Sequence, residues 1–213
     1  MGEFMLGVVS SLLATALTVL GGWACSLHAR RWPAVLLSRI TGLGVLRALP
    51  RQQLAGKEMA ADLARARWVR VLAGRGNELT RDSFAPVWEA AESVQVLLPD
   101  TMSGHDSWLA QRASDIRRVD PGFSPGLLAD QVRVNAAYVS EIRRHGQPVS
   151  LRYYNLPNLH RLVITDDVAY LTLYRQTEHG RNSPCIVAHR PGVLYDHALF
   201  LFTTTWEHSR PAD

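Results

Sequence analysis

The sequence predicts an α/β fold in which an N-terminal transmembrane helix precedes a mixed β-sheet with helices on its faces. Three observations lead to this prediction. The chain opens with an uncharged apolar run from Phe4 to Leu27. Between residues 51 and 145, segments with apolar residues at helical spacing are interspersed with short alternating segments. Between residues 148 and 189, alternating segments typical of strands follow one another in quick succession.

The run Phe4 to Leu27 is long enough to cross a membrane. At about 1.5 Å per helical residue it would extend roughly 36 Å, against ~30 Å for the hydrocarbon core of a bilayer. A cleaved signal peptide is the alternative, but it needs basic residues ahead of the run, where Glu3 is the only charged residue. Basic residues such as Arg30 and Arg31 follow instead, and positive charge stays on the cytoplasmic side. We therefore expect an uncleaved cell-membrane anchor over residues 1–31, with its N-terminus outside.

Residues 32–50 are expected to form a juxtamembrane helix. Their only charged side chains, Arg39 and Arg47, are spaced so that both lie on one helical face. Such a helix would lie on the anionic inner leaflet, or it would continue the membrane span and pack on a neighbour. The remaining residues, 51–213, are expected to form one cytoplasmic domain.

Composition excludes several classes of chemistry. The net charge of +4 comes from basic residues near the anchor, so nucleic acid is not an expected partner. Lys57 is the only lysine, which excludes a P-loop, a Schiff base or a kinase-type lysine in the distal domain. The two cysteines, Cys25 in the predicted anchor and Cys185 in the domain, do not make a disulfide framework. The spacing of Cys185 from His179 and His189 matches no familiar zinc site. No metal and no cofactor are expected.

The first half of the domain is predicted to contain helices and two strands. Helices are expected where apolar residues recur three or four apart among charged residues, and strands where β-branched and apolar residues alternate. In chain order these are a helix over 51–67, a strand over 68–73, a helix over 81–91, a strand over 93–98, and helices over 107–118 and from 124 to about 145. Gly74 to Asn77 forms the turn after the first strand, Ser107 caps a helix, and Gly146 ends the last one.

The second half changes to a period of two. Four strands are predicted over 148–154, 160–165, 168–174 and 184–189, with a tight turn at Asp166 and Asp167. The chain then closes with a helix over 193–208, whose apolar residues include Phe202 and Trp206.

The segment Asn158 to Tyr170 resembles the HxKxxxxD element of phospholipase D-like proteins. His160 takes the place of the histidine and Asp167, seven residues later, that of the aspartate. The resemblance implies that His160 would be the nucleophile on phosphorus and that Asp167 would belong to the same catalytic site.

The resemblance extends over roughly residues 54–208. The strand Val69 to Leu72 and its glycine loop resemble the first strand and loop of that fold, and the helix containing Phe202 and Trp206 resembles its closing helix. The implied fold is one phospholipase D-like half. Because members with one motif copy need a second copy for activity, the resemblance also implies a homo-oligomer.

One departure from the family motif bears on catalysis. Leu162 stands where the family has the lysine that neutralises the phosphoryl oxygens, and loss of such a donor costs on the order of 10²–10³ in rate. Arg161 does not replace it, because adjacent side chains on a strand point to opposite faces. The resemblance therefore implies a degenerate pocket, of the kind seen in sensor domains of bacterial regulators, that binds a phosphorylated small molecule or nucleotide.

The candidate ligand-binding residues are the glycine loop and two arginines. Backbone N–H groups in the loop would cradle a phosphate, although a plain glycine turn has the same sequence pattern. The candidates are Gly74, Arg75, Gly76, Asn77, Arg152 and Arg175.

Three functions are compatible with these features. The first is a membrane-anchored sensor or effector domain that binds a phosphorylated ligand or partner without cleaving it. The second is a homodimeric, membrane-tethered phosphodiesterase that acts on a phospholipid or nucleic acid through His160. The third is a plain protein-interaction module.

Overall fold

The structure is a computed structural model that describes residues 15, 18, 38, 40–103, 107–124, 126–157, 159–175 and 179–212. The chain divides into two compact units, Met1–Thr41 and Gly42–Asp213. In the first unit, residues 15, 18, 38 and 40 are helical, and the Thr41 hydroxyl donates to the Ser38 carbonyl at 3.4 Å. Most of the predicted anchor lies outside the described residues. Within the described part of the chain, no helix has the length and apolar character needed to cross a bilayer.

The second unit is built on a mixed sheet of eight strands, which confirms the mixed sheet of the predicted fold class. The strands are β1 (Val45–Leu49), β2 (Trp68–Leu72), β3 (Ser93–Pro99), β4 (Val149–Tyr154), β5 (His160–Ile164), β6 (Val168–Leu173), β7 (Cys185–His189) and β8 (Arg210–Pro211). Their order across the sheet is β1-β7-β6-β5-β2-β3-β4-β8. The pairs β2–β3 and β3–β4 are parallel and the other pairs are antiparallel.

Helices cover both faces of this sheet. They are α1 (Gly56–Leu63), α2 (Ala85–Ala90), α3 (Trp108–Val119), α4 (Leu127–Arg144) and α5 (Val193–Glu207). Short 3₁₀ turns over Gln52–Ala55 and Asp82–Phe84 lead into α1 and α2. The Ser107 hydroxyl accepts the Ala110 N–H at 3.2 Å at the start of α3, and Gly146 has φ +88° after α4, so both predicted boundary residues are confirmed.

Strand alternation divides the core into two layers. Val69 and Val71 of β2 point to one face, where they pack with α1 to α4. Leu72 points to the other face, where it packs with Tyr195 and Phe202 of α5. The two faces follow directly from the period of two in the strand sequences. We call them the four-helix face and the α5 face.

The strand β1 corrects the juxtamembrane helix predicted over residues 32–50. Residues 45–49 form an edge strand that pairs with β7 in antiparallel register, Leu49 opposite Cys185. The entry to β1 depends on Gly44, whose φ is +74° and where a Cβ atom would lie 2.7 Å from the Gly192 Cα. An apolar run without clear periodicity fits either element, and here the unpaired edge of β7 supplies the backbone hydrogen bonds that stabilise a strand.

Candidate functional site

A cavity of roughly 250 Å³ opens at the carboxyl end of β2, on the four-helix face. Its lining residues come from the loop after β2, from α3 and α4, from β5, from the segment between β6 and β7, and from the 3₁₀ turn before α1. Most of the charged ones are arginines: the lining contains Arg75, Arg81, Arg112, Arg161 and Arg181, together with Glu78 and His179. Crevices at the carboxyl ends of parallel strands are the usual ligand sites of α/β sheets.

The Gly74–Asn77 loop forms one wall of the cavity. Gly74, Arg75 and Asn77 line it, whereas Gly76 packs beneath with φ +81°, where a Cβ atom would lie 2.9 Å from Leu98 Cδ2. Asn135 of α4 fixes the loop, because its buried side-chain amide donates to the Arg75 carbonyl and to Asn77 Oδ1, each at 2.8 Å. The loop predicted from the sequence to bind a ligand therefore lies in a cavity and has a rigid support.

A buried ion pair lies within the cavity. Arg161 of β5 and Glu78, which are 8% and 9% exposed, approach to 3.3 Å between a guanidinium nitrogen and Oε1. This contact lies outside hydrogen-bond geometry, and Glu78 Oε1 is buried without a hydrogen-bond donor. Burial alone would lower the pKa of Arg161, but the Glu78 carboxylate outweighs it and the pKa is raised. Arg161 is therefore a permanent buried cation.

Tyr174, directly after β6, forms another wall. The Arg112 guanidinium lies 5.7 Å from its ring centroid, a cation–π contact, and Gly180 packs so closely that a Cβ atom there would lie 2.5 Å from Tyr174 Cε1. Burial raises the pKa of the Tyr174 hydroxyl, although Arg161 opposes this. Burial also lowers the pKa of Arg112, with a further contribution from nearby Arg75.

The mouth of the cavity is also basic. Arg81 and Arg181 are exposed and Arg75 is half-buried, with its guanidinium donating to Gln131 Oε1 at 3.2 Å. Burial, followed by the charges of Arg75 and Arg181, lowers the pKa of His179, so this imidazole is mainly neutral at pH 7. Five arginines and one glutamate among the described lining residues make the cavity suited to an anion with several oxygens.

The two candidate catalytic residues are not brought together. His160 begins β5 and Asp167 lies beyond its other end, so the length of β5, about 13 Å, separates them. Asp167 is exposed in the turn before β6, and its carbonyl accepts the Arg190 N–H at 2.8 Å. Neither residue lines the arginine cavity.

His160 lies on the α5 face, opposite the cavity. It pairs with Leu173 across the sheet, and its Nε2 atom is buried without a hydrogen-bond partner. Burial, followed by the nearby His197, lowers the pKa of His160, so the imidazole is neutral at pH 7. The surroundings of His160 are those of a half-buried sheet residue next to α5.

The two remaining ligand-binding candidates also lie outside the lining. The Arg152 guanidinium donates to the Ser209 carbonyl and lies 5.4 Å from the Trp206 ring centroid, which ties the C-terminal segment to β4. The backbone N–H of Arg175 donates to the Ser183 hydroxyl at 3.3 Å.

Eleven of the fourteen described residues that line the cavity were not predicted as site residues from the sequence, among them Glu78, Arg112, Arg161 and Tyr174. The available signal for Arg161 was a single arginine directly before the apolar residues Leu162 to Ile164 of β5, because a buried charge needs a partner. The other three come from separate elements and no local pattern connects them. Among the described residues, no cluster of histidine, cysteine or acidic side chains could hold a metal ion.

No protein-family model and no curated protein matches the sequence. Among solved structures, the chain is similar to TrmBL2, an archaeal chromatin protein whose structure is described as showing a novel mode of DNA binding. The TM-score is 0.51 at 10% identity, over 99% of this chain and 67% of TrmBL2. This likeness is one of fold.

Two bacterial structures show weaker likenesses. Nuc from Salmonella typhimurium, described as a phospholipase D family member, has a TM-score of 0.46 at 14% identity, over 73% of this chain and 89% of its own. NucT from Helicobacter pylori has a TM-score of 0.47 at 13% identity, over 78% of this chain and 96% of its own.

Proposed function

We propose that this chain is a membrane-anchored cytoplasmic sensor or effector domain with a degenerate phospholipase D-like fold, whose arginine cavity binds a phosphorylated small molecule without cleaving it. The observation that carries the proposal is the charge of the cavity, which has five arginines against one glutamate among its described lining residues. So much positive charge in one cavity is stabilised by an anion. The anchor would hold this domain at the inner face of the membrane, where ligand binding would change its assembly or partner.

Phosphate is the anion that fits the cavity best. One guanidinium group can donate two parallel hydrogen bonds to two phosphate oxygens. Charge-assisted hydrogen bonds of this kind are roughly twice as strong as neutral ones. The Gly74–Asn77 loop lines the same cavity, where its backbone N–H groups would bind the phosphate oxygens. An uncharged ligand would offer these guanidinium groups no charge-assisted hydrogen bond.

Two features support binding without cleavage. The lysine of the phospholipase D-like motif is replaced by Leu162, and Lys57 is the only lysine in the chain. The candidate nucleophile, His160, points to the α5 face, whereas the cavity opens on the four-helix face. A phosphoryl group bound among the arginines would therefore lie across the sheet from the imidazole.

Calorimetry on the detergent-purified full-length protein tests the proposal, with inorganic phosphate, pyrophosphate and ATP as probes. Arg75→Gln removes a cation from the cavity lining. It is expected to lower the affinity for the tightest-binding probe by roughly tenfold to a hundredfold, since a hydrogen bond to a charged group contributes about 1.5–3 kcal/mol. Arg133→Gln removes an exposed arginine of α4 that pairs with Asp130, and serves as the matched control.

Two results would contradict the proposal. One is that the wild-type protein binds none of the three probes, and the other is that both variants lose affinity equally. A short DNA duplex belongs in the same experiment, because TrmBL2 is described as binding DNA. Tighter binding of the duplex than of every small probe would favour a nucleic-acid function instead.

A homodimeric phosphodiesterase acting through His160 is the second candidate. The observation in its favour is that His160 Nε2 is buried without a hydrogen-bond partner and that the imidazole is neutral, the form in which it attacks phosphorus. A second protomer would have to supply the phosphate-binding groups on the α5 face. Hydrolysis of bis-p-nitrophenyl phosphate that is lost in His160→Ala would establish this function.

A further inference from the structure

The Glu78 carboxylate occupies a place in the cavity that an anionic ligand would use. Glu78 is 9% exposed and approaches Arg161 to 3.3 Å, so the most deeply buried arginine of the cavity already has a negative partner. Both residues line the cavity, and each is therefore reached from the space that a ligand would fill.

The pair is poorly satisfied as it stands. The contact between Arg161 and Glu78 is outside hydrogen-bond geometry, and Glu78 Oε1 has no donor although it is buried. Removing two charges from water has a large desolvation free energy, which is offset only when the pair has good geometry and further hydrogen bonds. A phosphoryl group has three oxygens in a geometry that matches a guanidinium, so it would be a better partner for Arg161 than this carboxylate.

The position of Glu78 in the chain permits an exchange. It follows the Gly74–Asn77 loop, which Asn135 holds by two hydrogen bonds to Arg75 and Asn77. It precedes Leu79, which is fully buried and donates its N–H to the Gly76 carbonyl at 2.9 Å. The backbone on both sides of Glu78 is therefore held in place, and an exchange of partners needs only a rotation of the Glu78 side chain towards the basic mouth of the cavity.

We propose that Glu78 is an internal competitor for Arg161, which a phosphoryl group of the ligand displaces on binding. This inference rests on the proposed function of the cavity and adds a specificity-determining residue to it. Ligands with a single weak negative charge would fail to displace the carboxylate, whereas a compound with adjacent phosphoryl groups would engage Arg161 and the arginines at the mouth together. The chemical class is therefore that of diphosphates.

Calorimetry with pyrophosphate on the full-length protein tests this inference. Glu78→Gln keeps the size of the side chain and removes its charge, and it should tighten pyrophosphate binding by roughly tenfold or more, because a like charge about 4 Å from the ligand is removed. Glu89→Gln removes an equal charge from an exposed position on α2 and should leave the affinity unchanged.

A second measurement distinguishes displacement of Glu78 from Arg161 from a general effect of the charge removed in Glu78→Gln. The guanidinium Nε–H resonance of Arg161, assigned by its loss in the double variant Glu78→Gln/Arg161→Gln, should shift when pyrophosphate is added to the wild-type protein. An unchanged resonance in the presence of bound pyrophosphate would overturn the inference.

The measured affinities give three further outcomes. A folded Glu78→Gln variant that binds pyrophosphate no more tightly than the wild type would overturn the inference and leave the proposed function intact. If Glu78→Gln does not fold, Glu78→Asp, which shortens the side chain by one methylene group, should bind more tightly, and equal or weaker binding would overturn the inference. Absence of binding in the wild type and in every variant would contradict the proposed function as well.

Discussion

His160 and Arg161 are consecutive residues of β5, yet their side chains lie on opposite faces of the sheet. Arg161 enters the arginine cavity and pairs with Glu78, whereas His160 lies on the α5 face near His197. The residue with the most obvious catalytic chemistry is therefore separated from the arginine cavity by the thickness of the sheet. This separation underlies the proposal of a binding domain rather than an enzyme.

We expect His160→Ala to leave phosphodiesterase activity unchanged. The detergent-purified full-length protein should hydrolyse bis-p-nitrophenyl phosphate no faster than this variant, because no arginine of the cavity faces the imidazole. His208→Ala, at an exposed position after α5, is the matched control. Hydrolysis by the wild type and the control that the His160 variant lacks would instead favour the dimeric phosphodiesterase.

Asn135→Ala should destabilise the protein and weaken ligand binding together. The substitution leaves the partly buried Arg75 carbonyl and Asn77 Oδ1 without this donor, at a cost of about 1–3 kcal/mol in the free energy of unfolding. Urea unfolding measures the loss of stability, and pyrophosphate calorimetry measures the loss of affinity. Arg133→Ala, two residues earlier on the exposed side of α4, should change either quantity by no more than about 0.5 kcal/mol.

Gly76→Ala should destabilise the loop, and Gly56→Ala should not. Gly76 has φ +81°, and a Cβ atom there would lie 2.9 Å from Leu98 Cδ2, so we expect a loss of about 1–3 kcal/mol. Gly56 begins α1 with φ −56° and has no atom within 4 Å of an added Cβ, so alanine there should be neutral or stabilising by up to about 1 kcal/mol. Thermal unfolding of the two variants side by side tests the contrast, and equal melting temperatures would contradict it.

Stability should fall in mildly acidic solution because of His160. Its pKa is lowered in the folded state by burial and by His197, so between that pKa and about 6.5 the unfolded chain binds more protons than the folded one. The contribution of His160 is therefore fully present above about pH 6.5 and is lost as the pH falls through the folded-state pKa. Urea unfolding measured from about pH 7.5 to about pH 5 should show that the free energy of unfolding depends less on pH in His160→Gln than in the wild type.

The control for this pH dependence is His208→Gln, an exposed histidine whose Nδ1 lies 2.8 Å from the Thr204 carbonyl oxygen. Its profile should follow that of the wild type. If His160→Gln and wild type lose stability in parallel as the pH falls, the imidazole of His160 does not contribute.

Much of the fold could be predicted from the sequence because its elements have clear periods. The alternation in β2 and in β5 to β7 was recognisable, and so were the apolar stripe of α5 and the boundary residues Ser107 and Gly146. The strands β1 and β8 were missed. Residues 45–49 belong to an apolar run without a helical or alternating period, and β8 has only two residues, Arg210 and Pro211, whose pairing with β4 depends on the rest of the sheet.

The sequence by itself determined the mixed α/β class, the glycine loop after β2 and the absence of a motif lysine, because these depend on local periodicity, backbone freedom and composition. Alternation along β5 also determined that Arg161 and His160 face opposite ways. Only the tertiary structure decided which face carries the cavity, since Glu78, Arg112 and Tyr174 come from three separate elements. Their meeting at the carboxyl end of β2 is set by strand order and helix packing, which act between residues distant in the chain and leave no local pattern in it.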